Sequence, residues 1–398
     1  MRILILCEHF EPSTDACSKR MNSIVDRLIQ CGHDVQVLAS ETSLLDAESS
    51  FADKPYVRYY RTYCMDEKTV LKRLRNNLSE FLNSKKEACV LDRFDLIVVT
   101  TPPLLLTLSA LSISKHSKAR LVVDVRDIWP DVAYEMGSFR SGSIYGRVFE
   151  KIAQRAYARA ALITTVTPGK VAKLCGKLPE NEQGKVKLIS NGIDLAFLEQ
   201  KEDVGIVKQY MSDSKPTCVY IGNVGLAQGL SSLLRLATKY PGVRFLIFGG
   251  GAEEQLLEKK IREQKLENVC LCGKVSARGA FTILHHASCA YIPLVNSNLK
   301  DSIPTKLYEA LACGCPVLLA ACGDAVNLLE ETGLGFSAAP EDEGGLAWAF
   351  GKILATDWSK SQKDAAANWV AAHHSRQAAA CEFEKLLVAR FGETCDVE

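Results

Sequence analysis

The sequence predicts an α/β protein of two doubly wound domains, each a parallel sheet with helices on both faces, and three observations lead there. The chain has 398 residues, too long for one ordinary domain and suited to two with a real core in each. Hydrophobic residues make up 47% and charged residues 24%, with no low-complexity tract, which is a globular composition and argues against disorder. Short β-branched runs alternate with helical stretches along the chain, the signature of βαβ units.

The first unit opens with a strand at residues 3–7. A helix follows at 17–31, with Ile24, Val25, Leu28 and Ile29 as its apolar side and Gly32 as its stop, and then a strand at 35–39. Further strands are predicted at 96–100, 121–125, 161–166 and 186–189. The apolar stretch 104–113 is too short to span a bilayer and reads as a core helix. A second series begins with a strand at 217–221, followed by helix 230–239, strand 244–248, helix 252–264, strand 269–272, helix 277–287 and strand 290–293. Asn191-Gly192-Ile193-Asp194 lies between the series as a turn-forming hinge, so two sheets are expected in place of one. The tail carries helical stretches at 360–373 and 375–391 with nothing strand-like after them.

The net charge of +1 conceals an asymmetry. Residues 1–190 hold 28 Lys/Arg against 22 Asp/Glu, and residues 191–398 hold 20 against 25, so the halves are +6 and −5. Most of the basic excess lies in residues 54–93, where ten Lys/Arg, among them Lys68, Lys72, Arg73, Arg75, Lys85 and Lys86, face five Asp/Glu. That stretch fits a solvated helix face, or a surface that meets the anionic phosphates of a membrane or of a lipid-linked acceptor. Nothing in it suggests nucleic acid as a partner. The 15 cysteines are scattered, odd in number and without a Cys-x-x-Cys pair; the close pairs are Cys270/Cys272 and Cys313/Cys315. They read as free thiols in a reducing cytoplasm. The apolar run at the start is too short for a signal peptide. A cytoplasmic protein is expected, soluble or peripheral on the inner face of the cell membrane.

Open parallel sheets bind ligands beyond the carboxyl ends of their strands, so the loops there carry the candidates. The most informative segment runs from Asp301 to Leu318. It places Pro304 at a first helical position, Gly314 at the end of a short helix, and Pro316 before a strand. The N-terminus of such a helix offers free N–H groups and a positive dipole end, with Ile303, Pro304 and Thr305 around it. Lys306 adds full charge one turn in, and Glu309 shares its face. Taken alone, the pattern also fits an ordinary helix with a surface Lys/Glu pair. Gly222-Asn223-Val224-Gly225-Leu226-Ala227-Gln228-Gly229 follows the first strand of the second series, and by itself fits a plain Gly-rich turn. Phe248-Gly249-Gly250-Gly251-Ala252-Glu253 is a weak dinucleotide signal, because the third Gly is missing and no acidic residue closes the next strand at Leu271-Cys272-Gly273. In the first series, Asp124-Val125-Arg126-Asp127-Ile128-Trp129-Pro130-Asp131 ends a strand with more charge than packing needs. No metal site is expected: His-x-x-x-His and Asp-x-Asp are absent, and His285-His286 and His373-His374 point to different sides of their helices. His9, just after the first strand, is a further cleft candidate or a simple turn residue.

In this combination the chain resembles the large family of retaining glycosyltransferases with the GT-B fold, of the group-1 (family 4) type, whose signature is two Glu residues separated by seven others. The resemblance spans almost the whole chain. The segment Asp124–Asp131 together with Gly-Asn-x-Gly-x-Ala-Gln-Gly and Pro-Thr-Lys-Leu-x-Glu resembles a branch that includes N-acetyl-fucosaminyltransferases of bacterial surface polysaccharides. It implies two Rossmann-like domains facing a cleft: an acceptor-binding domain at 1–190, a nucleotide-sugar domain at 191–373, and a terminal segment, 374–398, crossing back to the first. Glu309 matches the second Glu, which holds the donor ribose. Asp301 stands at the first and contacts the transferred sugar with a side chain one methylene shorter.

The family commonly has Gly-Arg and then Lys-Gly where this chain has Asn223 and Gln228. Lys306 and the helix dipole are therefore expected to carry more of the diphosphate charge, beside Asn223, Gly225 and Gln228. Gly249, Gly250 and Gly251 are expected to pass close to the nucleotide, with Lys274 and Val275 near the base. Arg126 and Asp127 replace a His-Asp pair, with Asp127 as acceptor-positioning group or base and Arg126 as a phosphate or acceptor contact. The implied function is metal-independent, cofactor-free transfer of a hexosyl or N-acetylhexosaminyl group from a nucleoside-diphosphate sugar, UDP favoured, to a saccharide or lipid-linked acceptor. A nucleotide-sugar epimerase or hydrolase, or a non-catalytic nucleotide-sugar-binding protein, shares the fold and stands as the alternative.

Overall fold

The structure is a computed structural model and describes residues 1–46, 54–63, 70–88, 90–91, 93–138, 140, 142–212, 214–225 and 228–392. It divides into two compact units, Met1–Asn191 together with the segment from Arg376, and Gly192–Ser375. Lys68, Leu226 and Ala227 lie outside the described residues, as do the side chains of Lys72 and Arg73.

In the first unit seven strands pair in parallel: β1 (Arg2–Leu6), β2 (Asp34–Ser40), β3 (Val57–Tyr60), β4 (Leu96–Thr101), β5 (Arg120–Val125), β6 (Leu162–Thr165) and β7 (Val186–Leu188). Their order is β3-β2-β1-β4-β5-β6-β7, so the winding reverses between β1 and β4. Ile3 sits opposite Val35 on one side and Leu96 on the other. Burial on both faces explains why β1 reads as a continuous apolar run and not as an alternating one. Helix Ala16–Gln30 is capped by Asp15, whose carboxylate accepts from Ser18 N–H at 2.9 Å. It buries Met21, Ile24, Val25 and Leu28, but Ile29 is 38% exposed, so the apolar stripe is one residue narrower than expected. The stretch expected as a core helix forms Leu106–Ser117 and buries Leu106, Ala110 and Ile113. Helix Arg376–Phe391 packs against helix Ala16–Gln30 and sets Ala380, Phe383 and Leu387 among Ile3, Ile5, Met21 and Val25.

The second unit carries β8 (Thr217–Ile221), β9 (Arg244–Phe248), β10 (Val269–Gly273), β11 (Cys289–Pro293), β12 (Val317–Ala320) and β13 (Gly335–Ala338), all parallel. The order β10-β9-β8-β11-β12-β13 reverses between β8 and β11. Two strands were not expected, β3 and β13. Each is four residues long and lies at a sheet edge, where one neighbour supplies the pairing and little apolar pattern is needed. All twelve described cysteines are free thiols. No described helix is long and apolar enough to cross a membrane.

Candidate functional site

The loops leaving β8, β9 and β10 surround a pocket of about 560 Å³, lined by Ile221, Gly222, Asn223, Phe248, Gly249, Gly250, Gly251, Glu254, Lys274 and Val275. It lies beside the reversal between β8 and β11, where the loops of a doubly wound sheet diverge and leave a crevice. Backbone hydrogen bonds lace the loops together: Gly222 N–H to Phe248 O at 2.9 Å, Gly249 N–H to Gly273 O at 2.7 Å, and Val224 N–H to Gly250 O at 3.0 Å. Gly249 has φ +142°, and a Cβ placed on it would stand 1.8 Å from the carbonyl oxygen of Gly222. Only glycine permits this approach.

Helix Thr305–Ala312 approaches the pocket through Lys306, which reaches the lining residue Gly222. Pro304 is its N-cap, at φ −64° and ψ 135°, one residue earlier than the first helical position expected, because its extended ψ keeps it outside the first turn. Lys306, in that turn, directs its Nζ to Tyr220 Oη at 2.9 Å and to Gln228 Oε1 at 3.1 Å. The ammonium also lies 4.3 Å from the centroid of the Tyr220 ring. It stands 2.8 Å from where a Cβ on Gly222 would be, so the missing side chain at 222 opens Lys306 to the pocket. Tyr220 is fully buried, and its hydroxyl donates to Asn223 O at 2.6 Å. Burial pulls the Lys306 ammonium down to about 8, partly opposed by Glu309 one turn along.

Asn223, Gly249, Gly250, Lys274 and Val275 thus share one pocket, with Lys306 and Gln228 meeting beside it. Gly225 adjoins Asn223, whose Nδ2 lies 2.6 Å from the Cβ position of residue 225. Ile303, Pro304, Thr305 and Glu309 are half-buried on the same loop and helix, and Asp301 is buried just before them. Glu309 lines neither the pocket nor a direct ion pair with Lys306. Gly251, the third glycine of the same turn, lines the pocket as well, and two contributors went unexpected: Tyr220 and Glu254. The tyrosine left a signal, since a Tyr in a buried strand needs a partner for its hydroxyl.

In the first unit, Asp124 at the end of β5 is fully buried and accepts from Arg20 Nε at 3.1 Å and Nη2 at 2.8 Å, from Thr100 Oγ1 and from Thr164 Oγ1. Burial alone raises a carboxyl, but Arg20 and these donors hold Asp124 below its ordinary value. Arg20 also donates to Ser190 O and Asn191 Oδ1. Arg126 donates to Thr100 Oγ1 at 3.0 Å and Pro102 O at 2.6 Å, bracing the turn after β4. Asp127 keeps 40% of its side chain exposed, with the buried Lys170 ammonium 3.8 Å away, a neighbour not foreseen. His9 lies between Glu8 and Asp15, each 3.7 Å from its ring nitrogens. The paired histidines are taken up locally: His285 Nδ1 lies 2.9 Å from Cys313 O, His373 Nδ1 2.9 Å from Trp369 O, and His286 meets Glu202. His374 packs against Tyr308. Among the described residues no three His, Cys, Asp or Glu cluster to hold a metal.

Comparison with solved structures gives the class first. A sucrose-phosphate synthase from Thermosynechococcus elongatus superposes with a TM-score of 0.79 at 17% identity, covering 98% of this chain and 99% of that one. The Anabaena protein HepE, solved in complex with UDP, gives 0.72 at 16% identity over 98% and 100%. The fold is GT-B, two Rossmann-like units. The family follows from the sequence. A glycosyl transferase 4-like domain matches residues 16–192, and the family model for glycosyl transferases group 1 matches residues 206–369. The chain belongs to the group-1 glycosyltransferases. An uncharacterized glycosyltransferase of Methanocaldococcus jannaschii is 26% identical over 192 residues, which is 46% of this chain and 45% of that protein, less than half of its length.

Proposed function

We propose that the chain moves a hexosyl or N-acetylhexosaminyl group from a nucleoside-diphosphate sugar to a saccharide or lipid-linked acceptor in surface-polysaccharide assembly, in the manner of the N-acetyl-fucosaminyltransferase branch. The observation that carries this reading is the glycine-walled pocket with the Lys306 ammonium at its edge, bonded to two neutral oxygens. An ammonium held this way keeps its charge available for a diphosphate. UDP is favoured as the carrier, since HepE was solved with UDP. Glu309 takes the ribose hydroxyls and Asp301 those of the sugar. Asn223, Gly225 and Gln228 join Lys306 and the helix N-terminus around the phosphates, and Lys274 and Val275 flank the base. Arg126 acts by shaping the acceptor loop, and Asp127 orients the incoming hydroxyl.

Charge grows on the departing diphosphate as the glycosidic bond breaks, and Lys306 meets it without a metal. The hydroxyl enters from the same face and the anomeric configuration is retained. The units assigned to these roles are residues 1–190, 191–373 and the returning segment 374–398. The exposed Lys85 and Lys86 mark the side of the first unit that meets an anionic membrane surface, which salt-sensitive binding to anionic liposomes tests.

The deciding experiment is a thermal-shift panel of uridine, guanosine and adenosine diphosphate sugars, then mass spectrometry and anomeric NMR of products with candidate lipid-linked acceptors. A uridine-linked donor, a retained linkage and turnover unaffected by EDTA are expected. An epimer or free sugar formed without acceptor, or complete loss in EDTA with recovery on adding magnesium or manganese, would overturn it.

A further inference from the structure

We infer that Tyr220 is a positioning residue, forming with Gln228 a seat for one ammonium group beside Gly222 that serves a lysine arriving from position 306 or from position 228. This rests on the reading of the pocket as a diphosphate site, and it names the group that holds the charge in place there.

The direction of the hydrogen bonds makes the case. Tyr220 Oη has one proton, and the carbonyl oxygen of Asn223 takes it at 2.6 Å. Toward Lys306 the hydroxyl therefore presents a lone pair, and Nζ donates into it at 2.9 Å. Gln228 Oε1 accepts from the same ammonium at 3.1 Å, and the face of the Tyr220 ring adds a third attraction at 4.3 Å. Two of the three N–H donors of Lys306 are used, by uncharged partners. One remains for a ligand in the pocket that Gly222 lines. The charged or titratable groups that bear on Lys306 are Glu309 of its own helix and Tyr220 from β8.

The seat is reachable from a second direction. Gln228 Oε1 lies 3.4 Å from Tyr220 Oη, so a lysine at 228, one bond longer, has the length to bring its ammonium within hydrogen-bond reach of that hydroxyl once residue 306 is uncharged. Two ammonium groups cannot share the seat, which makes the two placements alternatives.

The test follows lysine side-chain ¹³Cε resonances of the whole chain through a pH titration, with Lys306→Met identifying the signal. Tyr220→Phe keeps the ring and removes the hydroxyl. The Lys306 midpoint is expected to fall by roughly one pH unit, the loss of about one charged hydrogen bond, with kcat/KM for the UDP-sugar down about tenfold. Gln228→Met, which leaves the support of Asn223 intact, is the second variant and lowers the midpoint in the same direction. The swap Gln228→Lys with Lys306→Gln is expected to turn over within about tenfold of the parent, and to lose that activity again with Tyr220→Phe. Unchanged midpoints in both single variants, or a swap indifferent to Tyr220, would refute the seat. If the parent protein binds no uridine diphosphate and turns over no nucleotide sugar, the functional reading fails, while the titration still decides the role of Tyr220.

Discussion

Replacing Lys306 tests the proposed chemistry most directly, and its magnitude follows from the structure. Lys306 titrates near 8, so about nine-tenths of it is charged at pH 7 and about one-tenth at pH 9. The charged form is the one that meets phosphate. kcat/KM reports the free enzyme, so it should hold steady below pH 7 and fall above pH 8 toward the lower level that an uncharged residue 306 sustains. Lys306→Met removes one charged hydrogen bond to the departing diphosphate, worth about 1.5–3 kcal/mol, or roughly 10- to 150-fold in rate. The loss belongs more to kcat than to donor affinity, because the negative charge develops in the transition state. The residual activity should no longer fall on the alkaline side. Lys306→Arg keeps its charge at any accessible pH, so whatever activity it retains should also lack that limb. The assay is steady-state turnover of the UDP-sugar from pH 6 to 10, with the donor dissociation constant measured alongside. Near-normal turnover of Lys306→Met, or an alkaline limb unchanged in it, would show that the phosphates are met elsewhere.

Three further outcomes are expected. Gly249→Ala drives a Cβ to within 1.8 Å of Gly222 O in a backbone region that disfavours side chains; it should cost about 1–3 kcal/mol in urea unfolding and abolish calorimetric UDP binding, and unchanged values in both would contradict the packing described. Glu309→Gln should weaken binding of free UDP, whereas Asp301→Asn should spare UDP and weaken the UDP-sugar; equal losses of free UDP in the two titrations would reject that division. Burial, with repulsion from Glu8 and against the bond from Asn76, pushes the Glu80 carboxyl up to about 9 from an ordinary 4.5. The folded chain therefore keeps a proton that the unfolded chain releases above 4.5, and stability falls as pH rises through that window toward 9, by at most about 1.4 kcal/mol per unit. Glu80→Gln removes this dependence, so its melting temperature should exceed that of the parent at pH 8 and approach it at pH 4.5; a constant offset across that range would be inconsistent.

The interior of each sheet was legible in the sequence because strands buried on both faces need continuous apolar runs. β8 and β9 begin and end where the pattern places them. The edge strands were not, since Val57–Tyr60 and Gly335–Ala338 owe their extended form to one neighbour more than to their own side chains. In the site, the glycines and Lys306 were legible because turn chemistry and a helix start are local signals. The partnership of Lys306 with Tyr220 joins residues 86 apart in sequence and needed the fold. Arg126 shows the converse: its charge was plain, but its direction toward Thr100 and Pro102 is fixed by the turn after β4.

The return of helix Arg376–Phe391 to the first unit has a consequence for the order in which the protein is made. Chains emerge from the ribosome amino end first, and domains generally fold as they emerge. Here Ile3, Ile5, Met21 and Val25 appear early, but residues that cover them, Ala380, Phe383 and Leu387, follow only after the whole second unit. The unit that starts first is therefore the one that finishes second. Residues 192–375 are contiguous and can complete their core while the earlier half still waits with an apolar face open. During that interval the nascent chain depends on whatever shields that face, and helix Arg376–Phe391, made after the second unit, closes it.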